Sequence, residues 1–301
     1  MAQQDVYTSP ASFSHRIGAT GRFSLNNVSG DIRIRGVEGD EAHVVARWDG
    51  HGDGPLPLAI NRGNGSLEIE TDHKLGWFSF RRGSIEFDIE LPVNANLEVS
   101  AVSADIESHR VIGEQVYRTV SGDLVIDGTG GRVSAVTVSG DVSLTAVRPA
   151  EVNLTTTSGD IEAFAETFRP VRLKTVSGDM TLRGSFAAGP QHTVESVSGD
   201  LEIDAFNGLT VETKRGLDLS KREKRPLVSG DGRASLRFRS LSGDVRLSGV
   251  SPAQSTPTSN EAPEPEPLSD VDSMEVLRAL ERGEISVEEA TRRLEGAGSH
   301  G

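Results

Sequence analysis

Apolar residues in this chain keep a register that returns every 18 to 21 residues along most of its length. With the serine of each Ser-Gly-Asp triplet taken as position zero, apolar side chains recur at −6, −4, −1, +3 and +5. Around Ser177 they are Val171, Leu173, Val176, Met180 and Leu182, and around Ser29 they are Phe23, Leu25, Val28, Ile32 and Ile34. The same register surrounds Ser121, Ser139, Ser158, Ser198 and Ser242, and surrounds Ser103, where the triplet reads Ser103-Ala104-Asp105. From Ser103 to Ser198 the steps are 18, 18, 19, 19 and 21 residues.

Positions −6 and −4, and again +3 and +5, alternate with polar neighbours, which is the period of a strand with one buried face. The parity changes between −4 and −1, which predicts a bend or bulge that keeps position −1 on the inner side. The triplet then turns the chain into a second short strand. Such a unit cannot bury its own apolar face, and stacking on copies about 4.8 Å away supplies the missing contacts. The pattern therefore predicts an all-β fold: a parallel β-solenoid, or β-helix, of coils 18–19 residues long over residues 17–250. The triplet glycines Gly30, Gly122, Gly140, Gly159, Gly178, Gly199 and Gly243 are expected to be structural turn residues. Stacking also lines up Asp105, Asp123, Asp141, Asp160, Asp179 and Asp200, whose charges must be solvated, bonded to backbone N–H groups or neutralised by cations. A turn function is the favoured reading and a cation ladder the alternative. A calcium-binding β-roll would need a tighter glycine-aspartate repeat.

The register also marks what departs from it. Ser229-Gly230-Asp231 lacks the flanking apolar positions and reads as a turn inside a loop insertion, 220–233. Leu209, Val211, Leu217 and Leu219 read as a worn coil preceding that insertion. Residues 37–92 carry two alternating stretches, 58–70 and 78–92, read as antiparallel hairpins that cap or interrupt one end of the stack. Residues 1–16 read as a disordered N-terminus. After Val250 the sequence becomes rich in Pro, Ser, Thr and Glu, a disordered linker over 251–267. A small α-helical hairpin is predicted over 268–296, with Leu277, Leu280 and Leu294 on its apolar faces, and a disordered tail over 297–301.

Composition narrows the chemistry. The chain has 301 residues, no cysteine, and a formal net charge of −14. Thiolate metal sites and disulfides are excluded, and an acidic surface repels phosphate backbones, so nucleic acid is not an expected partner. Residues 251–301 hold 11 acidic and 4 basic side chains, while Lys221 to Arg225 form a short basic run read as a solvated loop. No basic stretch followed by an apolar run opens the chain and no apolar run is long enough to span a bilayer, so the expected location is cytoplasmic. Trp77, Phe78 and Phe80 beside Arg81 and Arg82 form a candidate contact for a partner or for the periphery of a membrane; packing over the stack end is the plainer reading. The outward +4 positions are chemically mixed, and no nucleophile–base pair or phosphate loop stands out, so no catalytic residue and no cofactor is assigned.

The stretch "IELPVNANLEVSAVSADI" followed by the repeated "TVSGD" coils resembles a bacterial family of β-strand-repeat, "putative adhesin" proteins of unknown function. That family includes relatives of the Lia cell-envelope stress system. The resemblance runs from Phe23 to Val250, and "LERGEISVEEATRRLE" is similar to short helical hairpins attached to envelope-stress proteins. It implies a non-catalytic scaffold in a cell-envelope stress context. The solenoid would be its binding surface and the C-terminal hairpin would dock a protein partner or a second copy. An adhesin or carbohydrate-binding surface protein is the alternative implied, and a polysaccharide-active β-helix enzyme the third.

Overall fold

The computed structural model describes residues 7–50, 55–71, 83–215 and 226–249. These residues form 22 strands, 20 of them in one continuous sheet that winds around the core. The central part of this sheet is a stack of parallel coils, each folded by the apolar register. In the simplest coils the −6 to −3 residues form one strand and the +3 to +6 residues the next, as in β10 (Asn96–Ser103) followed by β11 (Ile106–His109). Further on, β13 (Leu124–Val136), β14 (Val142–Thr155) and β15 (Ile161–Lys174) serve both walls, with register shifts between their halves. Leu97 pairs with Gln115, Gln115 with Val133, Val133 with Val152, and Val152 with Val171, always in parallel. Each −6 residue therefore sits directly on the next.

The core is two walls of such columns. Val133, Val152 and Val171 at −6, Val99, Leu154 and Leu173 at −4, and Ile106, Leu124, Val142, Ile161, Met180 and Leu201 at +3 are all buried. A single side chain of this size contributes about 1.5–3 kcal/mol on burial. Stacking identical positions lets every coil share that gain with two neighbours.

The two ends are not the first and last coils of the sequence. The first triplet coil, β3 (Arg22–Ser29) and β4 (Ile32–Val37), lies between β10–β11 on one side and β8 (Ser66–Thr71) and β9 (Gly83–Pro92) on the other. Outside these, β7 (Leu58–Gly63) pairs antiparallel with β8. On the other wall β5 (Glu41–Gly50) and then β2 (Ala11–Arg16) add antiparallel to β9. At the opposite end, β17 (Gln191–Ser198) and β18 (Leu201–Ala205) stack directly on β21 (Ala234–Ser242) and β22 (Val245–Gly249). There β19 (Leu209–Arg215) lies outside β21, and the short β20 (Leu227–Ser229) lies outside β19.

The predicted architecture is corrected on several points. The described residues are all-β and contain no helix, so the mixed fold with an α-helical hairpin does not stand; 268–296 lies outside the described residues. The hairpin expected at 58–70 is formed as β7–β8, turning at Asn64-Gly65. The second expected hairpin is not: Gly83–Pro92 is one strand, because its alternating residues Ile85, Phe87 and Ile89 fit the wall beside β4. Residues 37–92 thus supply a further parallel level as well as antiparallel caps. The worn coil at 209–219 does not precede the last triplet coil; β19 pairs with β21 and not with β17. The N-terminus is not disordered from Tyr7 onward: Tyr7–Thr8 (β1) pairs with Pro55–Leu56 (β6), and β2 covers β5. Short serine-rich segments carry little periodicity, and here the pairing edge of β5 supplies the order.

Candidate functional site

The triplets form one corner of the stack, and their serines run in a parallel ladder through Ser103, Ser121, Ser139, Ser158, Ser177 and Ser198. Ser29 and Ser242 extend it at the two ends. Behind them the backbones of successive coils approach too closely for a side chain. A Cβ on Gly159 would lie 2.2 Å from the carbonyl oxygen of Gly140, and one on Gly178 would lie 2.1 Å from that of Gly159. Gly30, Gly122, Gly140, Gly159, Gly178 and Gly199 also take φ values between 112° and 147°. Gly243 is crowded in the same way, with Gly199 O at 2.1 Å from its virtual Cβ, but lies outside that φ range. Ala104 fills the equivalent place without a positive φ.

The aspartates form a hydrogen-bonded column. Asp123 N donates to Asp105 Oδ1 at 2.9 Å and Asp141 N to Asp123 Oδ1 at 2.9 Å. Asp160 N, Asp179 N, Asp200 N and Asp244 N each donate to the Oδ1 of the preceding aspartate at 2.8 Å. A bond to an ionised acceptor contributes about 1.5–3 kcal/mol, against a repulsion of about 1 kcal/mol between neighbouring solvated carboxylates. The bonds win, and the column holds together as a backbone-capping device. Among the described residues no group of three His, Asp or Glu side chains is arranged to hold a metal ion.

The columns flanking the corner differ from expectation. Position −1 was expected inside; instead Val102, Val120, Val138, Val176, Val197 and Leu241 are 42–50% exposed. Position −2 takes the inner place, with Thr119, Thr137, Thr156, Thr175, Ser196 and Ser240 buried. The alternation of −6 and −4 simply continues to −2, and the parity change falls within the triplet itself. The corner therefore carries an apolar ridge, one side chain per coil except Thr157, beside exposed serines and aspartates.

Two buried polar sites were not foreseen. Tyr117 Oη donates to Gln115 Oε1 at 2.7 Å, and Gln115 Nε2 donates to Val111 O at 2.8 Å and to Thr129 Oγ1. Burial pushes the Tyr117 phenol well above its ordinary pKa. His192 accepts from Val171 N at 3.2 Å through Nδ1, and its Nε2 lies 3.0 Å from Ala187 O. That pairing fixes the neutral ring with the proton on Nε2, and desolvation holds its pKa below the ordinary value. The available signal was a polar residue at core position −6, occupied by both Gln115 and His192. On the outer wall Glu98 accepts from Arg22 at 2.6 Å and Arg118 at 2.8 Å, and these bonds lower its pKa. Phe164 and Phe206, 37% and 48% exposed, have ring centroids 6.2 Å apart. Trp77, Phe78, Phe80, Arg81, Arg82, Leu277, Leu280 and Leu294 lie outside the described residues.

A family model described as Toastrack DUF4097 matches residues 57–247. Among solved structures, a "putative adhesin" of Bacteroides fragilis aligns over 80% of this chain and 96% of its own, at 11% identity and a TM-score of 0.40. A "putative adhesin" of Parabacteroides merdae aligns over 82% and 97%, at 8% identity and a TM-score of 0.30. A cell adhesion protein of Clostridium sporogenes, also described as "putative", aligns over 80% and 100%, at 10% identity and a TM-score of 0.24. No curated protein matches the sequence.

Proposed function

With the chain belonging to the Toastrack DUF4097 family, we propose that it is a non-catalytic interaction scaffold whose triplet corner is the contact surface. The observation that carries this reading is the ridge of Val102, Val120, Val138, Val176, Val197 and Leu241, each 42–50% exposed and aligned by the coil register. Covering half of such a side chain contributes roughly 1 kcal/mol, so a partner spanning the ridge gains about 5 kcal/mol from it before the costs of association. The neighbouring serine hydroxyls and carboxylates supply direction. The surface repeats at the strand spacing of about 4.8 Å, which suits an extended or repetitive partner. A cell-envelope stress setting, and a second contact through the 268–296 segment, belong to this reading and rest on sequence resemblance and pattern.

The test replaces Val120, Val138 and Val176 with lysine in the full chain. Immobilised wild type and variant are challenged with cell lysate and with a purified envelope fraction, after far-UV circular dichroism has confirmed equal β content. Loss of captured material with the variant supports the ridge as the surface. Identical capture by both refutes it. Fractionation of cells with an antibody against the native protein separates an internal scaffold from an adhesin-type role at the surface.

A further inference from the structure

The two ends of the stack are finished differently. At one end the wall containing β4 is closed by β9, then β5, then β2. At the other, the same wall stops at β22, which pairs only with β18 among the described residues. The opposite wall continues two strands further, through β19 and β20. The result is a step about two strand spacings deep beside β22, roughly 10 Å.

Three observations say that β22 is an unfinished edge. Val245 and Leu247 stand in register with Leu201 and Ile203, which are fully buried, yet both are only half-buried. Next, Asp244 N donates to Asp200 Oδ1 and Leu201 N donates to Asp244 O, so Asp244 faces β18 with both backbone groups. Strand alternation then points the N–H and C=O of Val245 and Leu247 away from β18, toward the open side. Finally, charge changes sign here: the chain from Leu209 to Gly249 holds 10 basic and 5 acidic residues, within a protein of net charge −14. Arg246 stands exposed between Val245 and Leu247 on the outer side.

We propose that the β22 edge takes up an extended acidic peptide from a partner protein as an added strand. Its backbone pairs with Val245 and Leu247, alternate apolar side chains cover those two residues, and a carboxylate on the outer side faces Arg246. A second copy of this chain is a poorer occupant, since joining two such ends brings like charges together. The site is separate from the valine ridge, and stands or falls without it.

The probe is a fluorescein-labelled heptapeptide of alternating valine and glutamate, titrated into the full chain and followed by fluorescence anisotropy. Wild type is expected to bind it saturably at micromolar concentration, and more weakly at 0.5 M salt. Arg246→Glu should weaken binding at least tenfold and favour the valine-lysine analogue. Leu247→Pro should abolish binding, because it removes an N–H aimed at the open edge, where proline is tolerated without breaking the β18 ladder. If that variant loses its thermal transition, Arg246→Glu decides alone. Absence of saturable binding, or unchanged affinity in the Arg246 variant, overturns the proposal. So does a dimer in light scattering that Leu247→Pro converts to monomer. The Val120, Val138 and Val176 lysine variant should bind the peptide as wild type does, so failure of one reading leaves the other in place.

Discussion

Replacing Gly159 with alanine tests whether close stacking of coil backbones, and not turn conformation alone, requires glycine at the corner. Gly159 has φ 141°, and a Cβ there would lie 2.2 Å from Gly140 O and 2.7 Å from Gly140 C. Those atoms are backbone, held in the ladder by Gly140 N donating to Ser158 O at 3.2 Å and Asp160 N donating to Asp141 Oδ1 at 2.8 Å. A non-glycine residue in this region of φ carries about 1–3 kcal/mol of strain. Wedging a methyl group between two fixed coils adds about 1–3 kcal/mol of overpacking. Gly39 supplies the internal control, since it has φ 140° with nothing within 4 Å of the virtual Cβ. Gly39→Ala therefore reports the strain alone. At about 2–4 °C per kcal/mol for a domain of this size, Gly159→Ala should melt about 4–10 °C below Gly39→Ala by circular dichroism. Equal melting temperatures would refute the reasoning, because the two sites share a backbone conformation and differ only in what the methyl group meets.

Two further outcomes follow from the buried and bonded groups. Asp160→Ala leaves the N–H of Asp179 without its carboxylate acceptor and should cost about 1–3 kcal/mol, whereas Asp160→Asn, which keeps an acceptor oxygen, should cost less. Adding EDTA to wild type should leave its melting temperature within about 1 °C, since the column is satisfied by backbone N–H groups; a larger fall would restore the cation reading. His192 has a folded pKa below its unfolded value, so its contribution is fully present above the ordinary imidazole pKa and is lost as pH falls from there through the folded value. Wild type should lose stability across that window in urea titrations at stepped pH. His192→Gln should show a flatter dependence, and equal slopes would remove His192 as the cause.

The middle of the fold was legible because each coil repeats one instruction. Val171, Leu173, Met180 and Leu182 sit inside as their spacing demands, and so do their counterparts in the neighbouring coils. The corner was misjudged at one column: valine at −1 looked buried by composition, yet threonine at −2 is inside because strand parity persists to the turn. Hydrophobicity alone ranks valine above threonine, and only the position of the bend reverses them. The ends were least legible. Nothing in the alternation of Ile85, Phe87 and Ile89 distinguishes a hairpin arm from a wall strand, since both bury every second residue. The choice depends on which edges are vacant, a property of the assembled stack. The corner chemistry was half visible: stacked aspartates could be read from the spacing, but not the donation from each aspartate N–H to the carboxylate before it.

The inverted order of the terminal levels has a consequence for how such a chain can vary in length. Because β8–β9 lie outside β3–β4, and β19 lies outside β21, each terminus is built from segments that enclose an earlier or later one. Neither end can be shortened by trimming one repeat, since removal of an outer level leaves its inner partner bare. The interior has no such interlock: the coils at Ser121, Ser139, Ser158 and Ser177 contact only their immediate neighbours, through matching columns. Duplication or loss of a whole unit there would slide the two fixed ends apart or together by about 4.8 Å without altering either. The protein is thus a telescope with sealed fittings, whose reach can be reset in steps of one strand.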